Sequence, residues 1–243
     1  YLNSIKELLN LGLYDEALTE IDKLRRIDYK DIDLLYIRIL SSKENEQYHK
    51  AIESTEILIR LITDQDSRAY LKDESFLPKP LKEFSYPNYY SEYVEKYAQE
   101  YNVDPLFVYA IIKEESRFKL EARSYANAIG LMQIIPSTGR FIAQNMGQKK
   151  FSVEKLYEPE TNIKMGIWYI SYLLDKFEGN KFHTLAAYNG GPANVKRWLK
   201  RCSDKNDTDE FISIVSLDET HSYVKKVLAS FNNYKDIYTL TNP

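Results

Sequence analysis

The chain has 243 residues, of which 44% are hydrophobic and 28% charged, which is typical of globular proteins and unlike disordered or collagen-like chains. A formal net charge of −3 gives no general attraction to phosphate backbones, which argues against nucleic acid as a partner. The single cysteine, Cys202, excludes an internal disulfide, and three scattered histidines offer no metal-ligand spacing, so we expect neither a metal nor an organic cofactor.

The beginning of the chain, YLNSIKELLN, has the features of neither a signal peptide nor a start at an initiator methionine. We take this as an indication of a processed or excised chain. No apolar run approaches the roughly 18 residues that a membrane span needs, so the sequence predicts no span in this chain.

The first 75 residues have apolar positions at helical spacing, and they contain an internal repeat. Three positions recur with a period of 34 residues: Tyr14, Ala17 and Leu18 recur as Tyr48, Ala51 and Ile52. This is the period of tetratricopeptide repeats, in which paired helices stack into a solenoid. An ordinary helical bundle with a chance match is the alternative.

A segment over residues 70–87 interrupts the helical period. It contains three prolines, which we expect to break regular structure: Pro78, Pro80 and Pro87. We therefore place a domain boundary near residue 85. The prediction is a helical repeat region with a linker over residues 1–85 and a second domain over residues 86–243.

Helices resume after this segment, and several carry their own start signals. Asp104 is a candidate N-cap with Pro105 at the first helical position, and Pro136 and Pro159 open two later helices. Apolar periodicity and stop signals predict helices over residues 89–100, 105–117, 136–147, 159–179, 182–188, 193–200 and 220–234. Alternating strand patterns are nearly absent, so the sequence predicts a mainly α protein.

The predicted helix over residues 105–117 is apolar for most of its length and ends in two adjacent carboxylates, Glu114 and Glu115. Glu115 continues the apolar stripe of Val108 and Ile112, where desolvation would raise its pKa and keep a proton available for a leaving group. Glu114 follows a second stripe almost as well, so helical phase does not choose between them. The remaining alternative is that both carboxylates only mark the solvated end of a buried helix.

The next segment, ARSYANAIGLMQIIPSTG, is a turn rich in small residues that leads into an apolar stretch. Its polar interruption is Gln133, between Met132 and Ile134. A glutamine is costly to bury without partners, so we expect Gln133 to be exposed on a groove wall or hydrogen-bonded to a ligand or the backbone.

Four blocks follow one another between Tyr86 and Tyr234: KEESRF, SYANAIGLMQIIPSTG, AAYNGGP and ETHSYVKKVL. In this order they resemble the catalytic domain of the soluble-type lytic transglycosylases, a family with helical superhelix regions upstream. The resemblance implies a mainly α architecture, with an N-terminal helical solenoid followed by a lysozyme-like catalytic domain. It also implies cleavage of the β-1,4 bond between N-acetylmuramic acid and N-acetylglucosamine in peptidoglycan, with 1,6-anhydromuramyl products.

The resemblance assigns roles to individual residues. The glutamate of the family's E-S pair is the catalytic acid, and it matches Glu115 rather than Glu114. Six further positions match groove-lining or substrate-facing residues of the family: Ser124, Met132, Gln133, Tyr188, Asn189 and Glu219. The alternatives are core packing for Met132 and Tyr188, and a helix-dipole role for Glu219.

Two positions depart from the family pattern. Asn127 stands where the family usually has glycine, and asparagine best tolerates left-handed backbone among the other residues, so we expect the turn to survive. His221 stands where the family commonly has arginine, which weakens any expectation of a fixed positive charge at that place.

Two other functions stay open at this level. A lysozyme-type hydrolase would need a further carboxylate to activate water, and Asp104 and Glu121 are candidates. A non-catalytic helical scaffold would bind peptidoglycan through the first 75 residues. The expected partners are peptidoglycan glycan strands and, through the repeats, cell-wall proteins. The expected location is the periplasm or another exported position at the cell wall.

Overall fold

The computed structural model describes residues 2–24, 31–63, 77–205, 207–216 and 218–239. These residues are mainly helical, and their β pairing is limited to two isolated antiparallel bridges that share Ile129. The predicted mainly α class is therefore confirmed. None of the helices described combines the length and apolarity that crossing a membrane requires.

The described α-helices are numbered in chain order. They are α1 (Leu2–Asn10), α2 (Tyr14–Leu24), α3 (Ile32–Glu44), α4 (Tyr48–Ile62), α5 (Lys79–Ser85), α6 (Ser91–Glu100), α7 (Pro105–Ser116), α8 (Pro136–Asn145), α9 (Pro159–Lys176), α10 (Lys181–Gly190), α11 (Pro192–Leu199), α12 (Thr208–Ile214) and α13 (Asp218–Tyr238). A 3₁₀ helix, Val153–Tyr157, precedes α9.

The chain forms two compact units. One contains the described residues up to Tyr89 together with residues 117–119, and the other contains residues 90–116 and those from Leu120 onwards. The first unit thus ends a few residues beyond the boundary near residue 85 that the sequence predicts.

The first unit places the two copies of the repeat at equivalent positions. Tyr14 and Tyr48 are the first residues of α2 and α4, and Ala17 and Ala51 are both fully buried one turn later. In this unit α1 packs against α2, α2 against α3, and α3 against α4. A tetratricopeptide solenoid stays a prediction, and residues 64–76 lie outside the described part of the chain.

The prolines of the interrupting segment do not exclude a helix, which corrects the sequence prediction. Pro78 is the N-cap residue of α5, and Pro80 lies in its first turn. The first amides of a helix have no intrahelical acceptor, so a proline there removes no hydrogen bond. The part of the predicted segment before Leu77 lies outside the described residues.

The second unit is built around α7. Its residues 107–112 are buried without interruption, and the helix packs against α6 and α13. The helix begins at Pro105 as predicted, and the amide of Leu106 donates to Oδ1 of Asp104 over 2.9 Å. This central position fixes where the last turn of α7 lies among its neighbours.

The remaining helix predictions are mostly confirmed. α8 and α9 begin at Pro136 and Pro159, while α13 is longer than the predicted span of residues 220–234. α12 was not predicted, because a helix of 7 residues makes about two turns and shows little periodicity.

Candidate active site

Glu115, in the last turn of α7, lies on the wall of a cleft of about 410 Å³. Burial raises the pKa of this carboxyl to about 7; the Tyr223 hydroxyl opposes the rise, and the carboxylates of Glu114 and Glu219 add to it. Such a group keeps its proton at mildly acidic pH, where an ordinary glutamate is ionised. It can therefore donate a proton to a ligand in the cleft.

The neighbouring carboxylate, Glu114, does not line the cleft. Its Oε1 accepts a hydrogen bond from Oγ of Ser230 over 2.6 Å and lies 3.8 Å from Nζ of Lys113. Ser230 belongs to α13 and is buried. The structure thus separates two adjacent glutamates that helical phase alone left equivalent.

Two tyrosines interact with Glu115. Burial, and then the charge of Glu115, raise the pKa of both Tyr188 and Tyr223 well above the ordinary value, so both are neutral phenols. The Tyr188 hydroxyl donates to the carbonyl oxygen of Met132 over 2.6 Å. The buried Tyr223 hydroxyl makes no hydrogen bond of regular geometry with the described residues, yet it lowers the pKa of Glu115. It is a donor available to the ionised form of that carboxyl.

The turn between α7 and α8 contributes part of the cleft wall. Hydrogen bonds within its own backbone hold the turn in its conformation. The amide of Gly130 donates to the carbonyl of Ala122 over 2.9 Å, and the amide of Ser124 donates to the carbonyl of Ala128 over 3.0 Å. Asn127 has a φ of +60°, and its Oδ1 accepts from Nη2 of Arg123 over 2.8 Å. The expectation that asparagine sustains left-handed backbone here is confirmed.

Ser124 and Gln133 line the cleft from this turn. Nε2 of Gln133 donates to the carbonyl oxygens of Gly130, over 2.8 Å, and Ala122, over 3.2 Å. The glutamine is therefore both on a groove wall and bonded to the backbone, the two possibilities that the sequence left open. With Nε2 used in this way, the side-chain oxygen is the atom left for a ligand.

Asn162 anchors the same turn from α9. Its fully buried side chain accepts from the amide of Met132 over 2.8 Å and donates to the carbonyls of Ile129 and Leu156 over 2.9 and 2.7 Å. The turn approaches so closely that a Cβ on Gly130 would overlap the Asn162 amide, and the φ of Gly130 is +79°. Glycine is therefore required at this place.

The side chain of Met132 is in the core, which corrects its assignment to the groove lining. It is fully buried and packs so tightly on α9 that a Cβ on Gly166 would overlap its sulfur. Its backbone carbonyl, which holds Tyr188, is the part of Met132 that serves the site. Core packing is the alternative role that the sequence left open for Met132.

Asn189 and Glu219 complete the predicted set at the end of α10 and the start of α13. Oγ1 of Thr220 donates to Oδ1 of Asn189 over 2.7 Å, which joins the two helix ends. A Cβ on Gly190 would lie 2.8 Å from Oγ1 of Thr220, so this approach requires a glycine. Both Asn189 and Glu219 are exposed in the cleft, where they could meet a ligand.

The structure therefore brings most of the predicted site residues to one cleft. These are Glu115, Ser124, Gln133, Tyr188, Asn189 and Glu219. Their predicted roles in substrate binding stay predictions.

The two candidate bases for a hydrolase lie elsewhere. Asp104 caps the start of α7, at the other end of the helix from Glu115, and the exposed Glu121 does not line the cleft. Glu219 is the second carboxylate among the residues described for the cleft. In the part of the chain that the structure describes, no three His, Cys, Asp or Glu side chains are grouped to hold a metal ion.

Three residues of the site are not predicted from the sequence: Tyr169, Tyr223 and Asn162. Tyr169 lines the cleft, with its ring centroid 5.7 Å from that of Tyr188. Tyr169 and Asn162 lie within the apolar run of α9, where no local pattern marks them. Tyr223 lies inside the fourth sequence block, ETHSYVKKVL, and this position was the one sequence signal for a role in the site.

Residues 92–211 match the family model described as "Transglycosylase SLT domain". A putative soluble lytic murein transglycosylase of Haemophilus influenzae is 37% identical over 157 residues, which is 65% of this chain and 26% of the relative. The chain thus spans about a quarter of this curated relative.

Two solved structures resemble the fold over 98% of this chain. The 70 kDa soluble lytic transglycosylase SLT70 of Escherichia coli has a TM-score of 0.74 and 25% sequence identity, and the match covers 35% of that protein. An inactive Glu-to-Gln mutant of the lytic transglycosylase Slt of Pseudomonas aeruginosa has a TM-score of 0.71 and 26% identity over 36% of its length.

Proposed function

We propose that the chain is a peptidoglycan lytic transglycosylase, a proposal that the match of residues 92–211 to the transglycosylase SLT domain supports. It cleaves the β-1,4 bond between N-acetylmuramic acid and N-acetylglucosamine and forms 1,6-anhydromuramyl products. The observation that carries the proposal is Glu115, a half-buried residue on the wall of a cleft whose carboxyl has a pKa of about 7.

The first step is protonation of the glycosidic oxygen by Glu115. As the bond between the anomeric carbon and this oxygen breaks, the muramyl ring becomes oxocarbenium-like and the N-acetylglucosamine unit leaves with the proton. Burial supports this step, because it disfavours the ionised carboxyl and strengthens its tendency to hold a transferable proton at mildly acidic pH.

The second step returns the proton to Glu115. The carboxylate takes it from the 6-hydroxyl of the muramyl unit while that oxygen bonds to the anomeric carbon, which closes the 1,6-anhydro ring. One carboxyl thus serves as acid and then as base, and neither step requires a metal or an organic cofactor. The Tyr223 hydroxyl supports the ionised stage, since it favours the carboxylate form of Glu115.

The two alternatives have less support. The bases that the sequence offered to a hydrolase, Asp104 and Glu121, lie outside the cleft, which leaves Glu219 as the carboxylate to test for that role. A non-catalytic scaffold has no use for a buried carboxyl whose pKa is raised at the wall of a cleft.

The products distinguish a transglycosylase from a hydrolase. We expect muramyl products without a reducing end, about 18 Da lighter than their hydrolysed equivalents, because an internal hydroxyl captures the intermediate before water does. Mass spectrometry of digested cell walls measures this difference. Mainly reducing muramyl ends that carry heavy oxygen from labelled water would contradict the mechanism and direct attention to Glu219.

Tyr223→Phe should shift the pH dependence of cleavage. The Tyr223 hydroxyl lowers the pKa of Glu115, so its removal raises that pKa above about 7. Because the protonated acid is the active form, the alkaline limb of the kcat/KM profile should move to higher pH. Rates measured from pH 5 to pH 9 test this, with Tyr125→Phe, an exposed tyrosine outside the cleft lining, as control. An unmoved limb would show that Tyr223 does not act on Glu115.

The proposed substrate places the protein at the cell wall, in the periplasm or another exported position, with peptidoglycan glycan strands as its partner. Cell-wall proteins that bind the repeat region are a further part of the proposal. The two buried alanines, Ala17 and Ala51, at equivalent places of α2 and α4 support a repeat there.

A further inference from the structure

A second cavity lies at the opposite end of α10 from the cleft, and its lining is basic. It has a volume of about 540 Å³, and the first turn of α10 contributes Asn180 and His183 to it. Four lysines line it together with one carboxylate, Glu178; these lysines are Lys176, Lys196, Lys200 and Lys205. None of its lining residues also lines the cleft that holds Glu115.

The positive charge of this cavity is largely uncompensated. Lys176 donates to the Tyr172 hydroxyl over 2.9 Å, which is a neutral partner. The side chains of Lys196, Lys200 and Lys205 make no ion pair or hydrogen bond with any residue that the structure describes. Several like charges around one cavity repel each other, and a bound anion would relieve this repulsion.

His183 is an independent sign of a ligand. Its side chain lines the cavity, is 6% exposed, and packs against Phe177 and Phe211, with ring centroids 6.3 and 4.4 Å away. Its imidazole has no hydrogen-bond partner among the described residues. The ring nitrogens of His183 are not among the buried unsatisfied atoms, so they are open to the cavity and available to a ligand that enters it.

The protonation state of His183 is consistent with an anionic ligand in the cavity. Burial lowers the pKa of the imidazole, although the charge of Glu178 acts in the opposite direction. A neutral imidazole offers one N–H donor and one acceptor, and the donor can meet an anionic oxygen.

We propose that this cavity binds a phosphate group. The first turn of α10 presents the positive end of a helix dipole, and the lysines supply charge around the same space. Four lysines suit a ligand with more than one negative charge and oxygens in several directions, which favours a phosphate group over a single carboxylate. Because this cavity is separate from the cleft that holds Glu115, phosphate binding here is a function in addition to the proposed cleavage.

The test is a titration of the full chain with inorganic phosphate at constant ionic strength, followed by NMR of the histidine side chains. The His183 resonances, assigned through the ring contacts with Phe177 and Phe211, should shift in a saturable way. The resonances of His49 and His221 should not shift. Acetate at the same concentration should leave His183 unchanged, and an equal response to acetate and phosphate would overturn the phosphate assignment.

Two matched double variants separate the site from general electrostatics. Lys196→Gln with Lys200→Gln should weaken phosphate binding about tenfold or more, since it removes two charged partners of the anion. Lys225→Gln with Lys226→Gln removes the same charge from an exposed part of α13 and should leave binding unchanged. Equal weakening in both, or in neither, would contradict the proposal.

Two further arms complete the experiment. Glycerol 2-phosphate in place of inorganic phosphate identifies the source: tighter binding indicates a phosphate ester, and weaker binding indicates free phosphate. The Glu115→Gln variant should bind phosphate as the parent chain does, whereas loss of binding there would place the ligand in the cleft. Failure of the phosphate titration leaves the proposed cleavage reaction untouched, because its own test is the product analysis.

Discussion

Glu115→Gln is expected to lower the rate of peptidoglycan cleavage by about a thousandfold or more without loss of the fold. The amide has the shape of the protonated carboxyl but no proton to transfer, so both proposed steps lose their acid and base. Glutamine is neutral, as is the protonated acid that burial favours at this position, so the buried site tolerates it. Clearing of cell-wall suspensions measures the rate, and circular dichroism with thermal unfolding checks the fold.

Glu114→Gln is the matched control for this variant. The glutamine oxygen can still accept the hydrogen bond from Ser230, and the side chain stays outside the cleft, so cleavage should fall by no more than about twofold. Equal inactivation by the two substitutions would show that the chemistry does not depend on Glu115 in particular.

Asn162→Ala is expected to lower the free energy of unfolding by about 3 kcal/mol or more. The change leaves the amide of Met132 and the carbonyl of Leu156 buried without their partner, and each such group costs about 1–3 kcal/mol; the carbonyl of Ile129 keeps its hydrogen bond from the amide of Ile134. Urea unfolding followed by circular dichroism measures the effect. Because Gln133 and Ser124 depend on the same turn, cleavage should decline as well.

Asn145→Ala provides the comparison. Asn145 is exposed, and its side chain makes a single hydrogen bond, to the carbonyl of Phe141 within α8. Water can replace that bond, so the loss should stay below about 1 kcal/mol. Similar losses for the two asparagines would show that the buried network contributes nothing beyond an ordinary surface bond.

The helices that could be predicted from the sequence are those that carry their own signals. Asp104 followed by Pro105 marks the start of α7, and Pro159 marks that of α9, because capping is a property of adjacent residues. The prolines before residue 85 misled the prediction, since Pro78 and Pro80 occupy the start of α5 rather than its interior. Local sequence does not distinguish these two positions of a proline when the helix is short.

The site could not be predicted from local sequence, because it depends on contacts between distant parts of the chain. The choice between Glu114 and Glu115 depends on Ser230, which lies 116 residues beyond Glu114 and occupies its carboxylate. Tyr223 and Glu115, which interact electrostatically, are also far apart in sequence. Helical phase describes one helix at a time and carries no information on which neighbour meets each face, so the family resemblance had to make this choice.

The turn between α7 and α8 is preorganised for its ligand. Its backbone bonds, the two hydrogen bonds of Gln133 and the three of Asn162 are all made between groups of the protein itself. A glycan strand, the proposed substrate, would therefore meet a wall whose conformational entropy was already lost on folding. Binding free energy that a flexible loop would consume in becoming ordered remains here for distortion of the sugar at the bond to be cleaved.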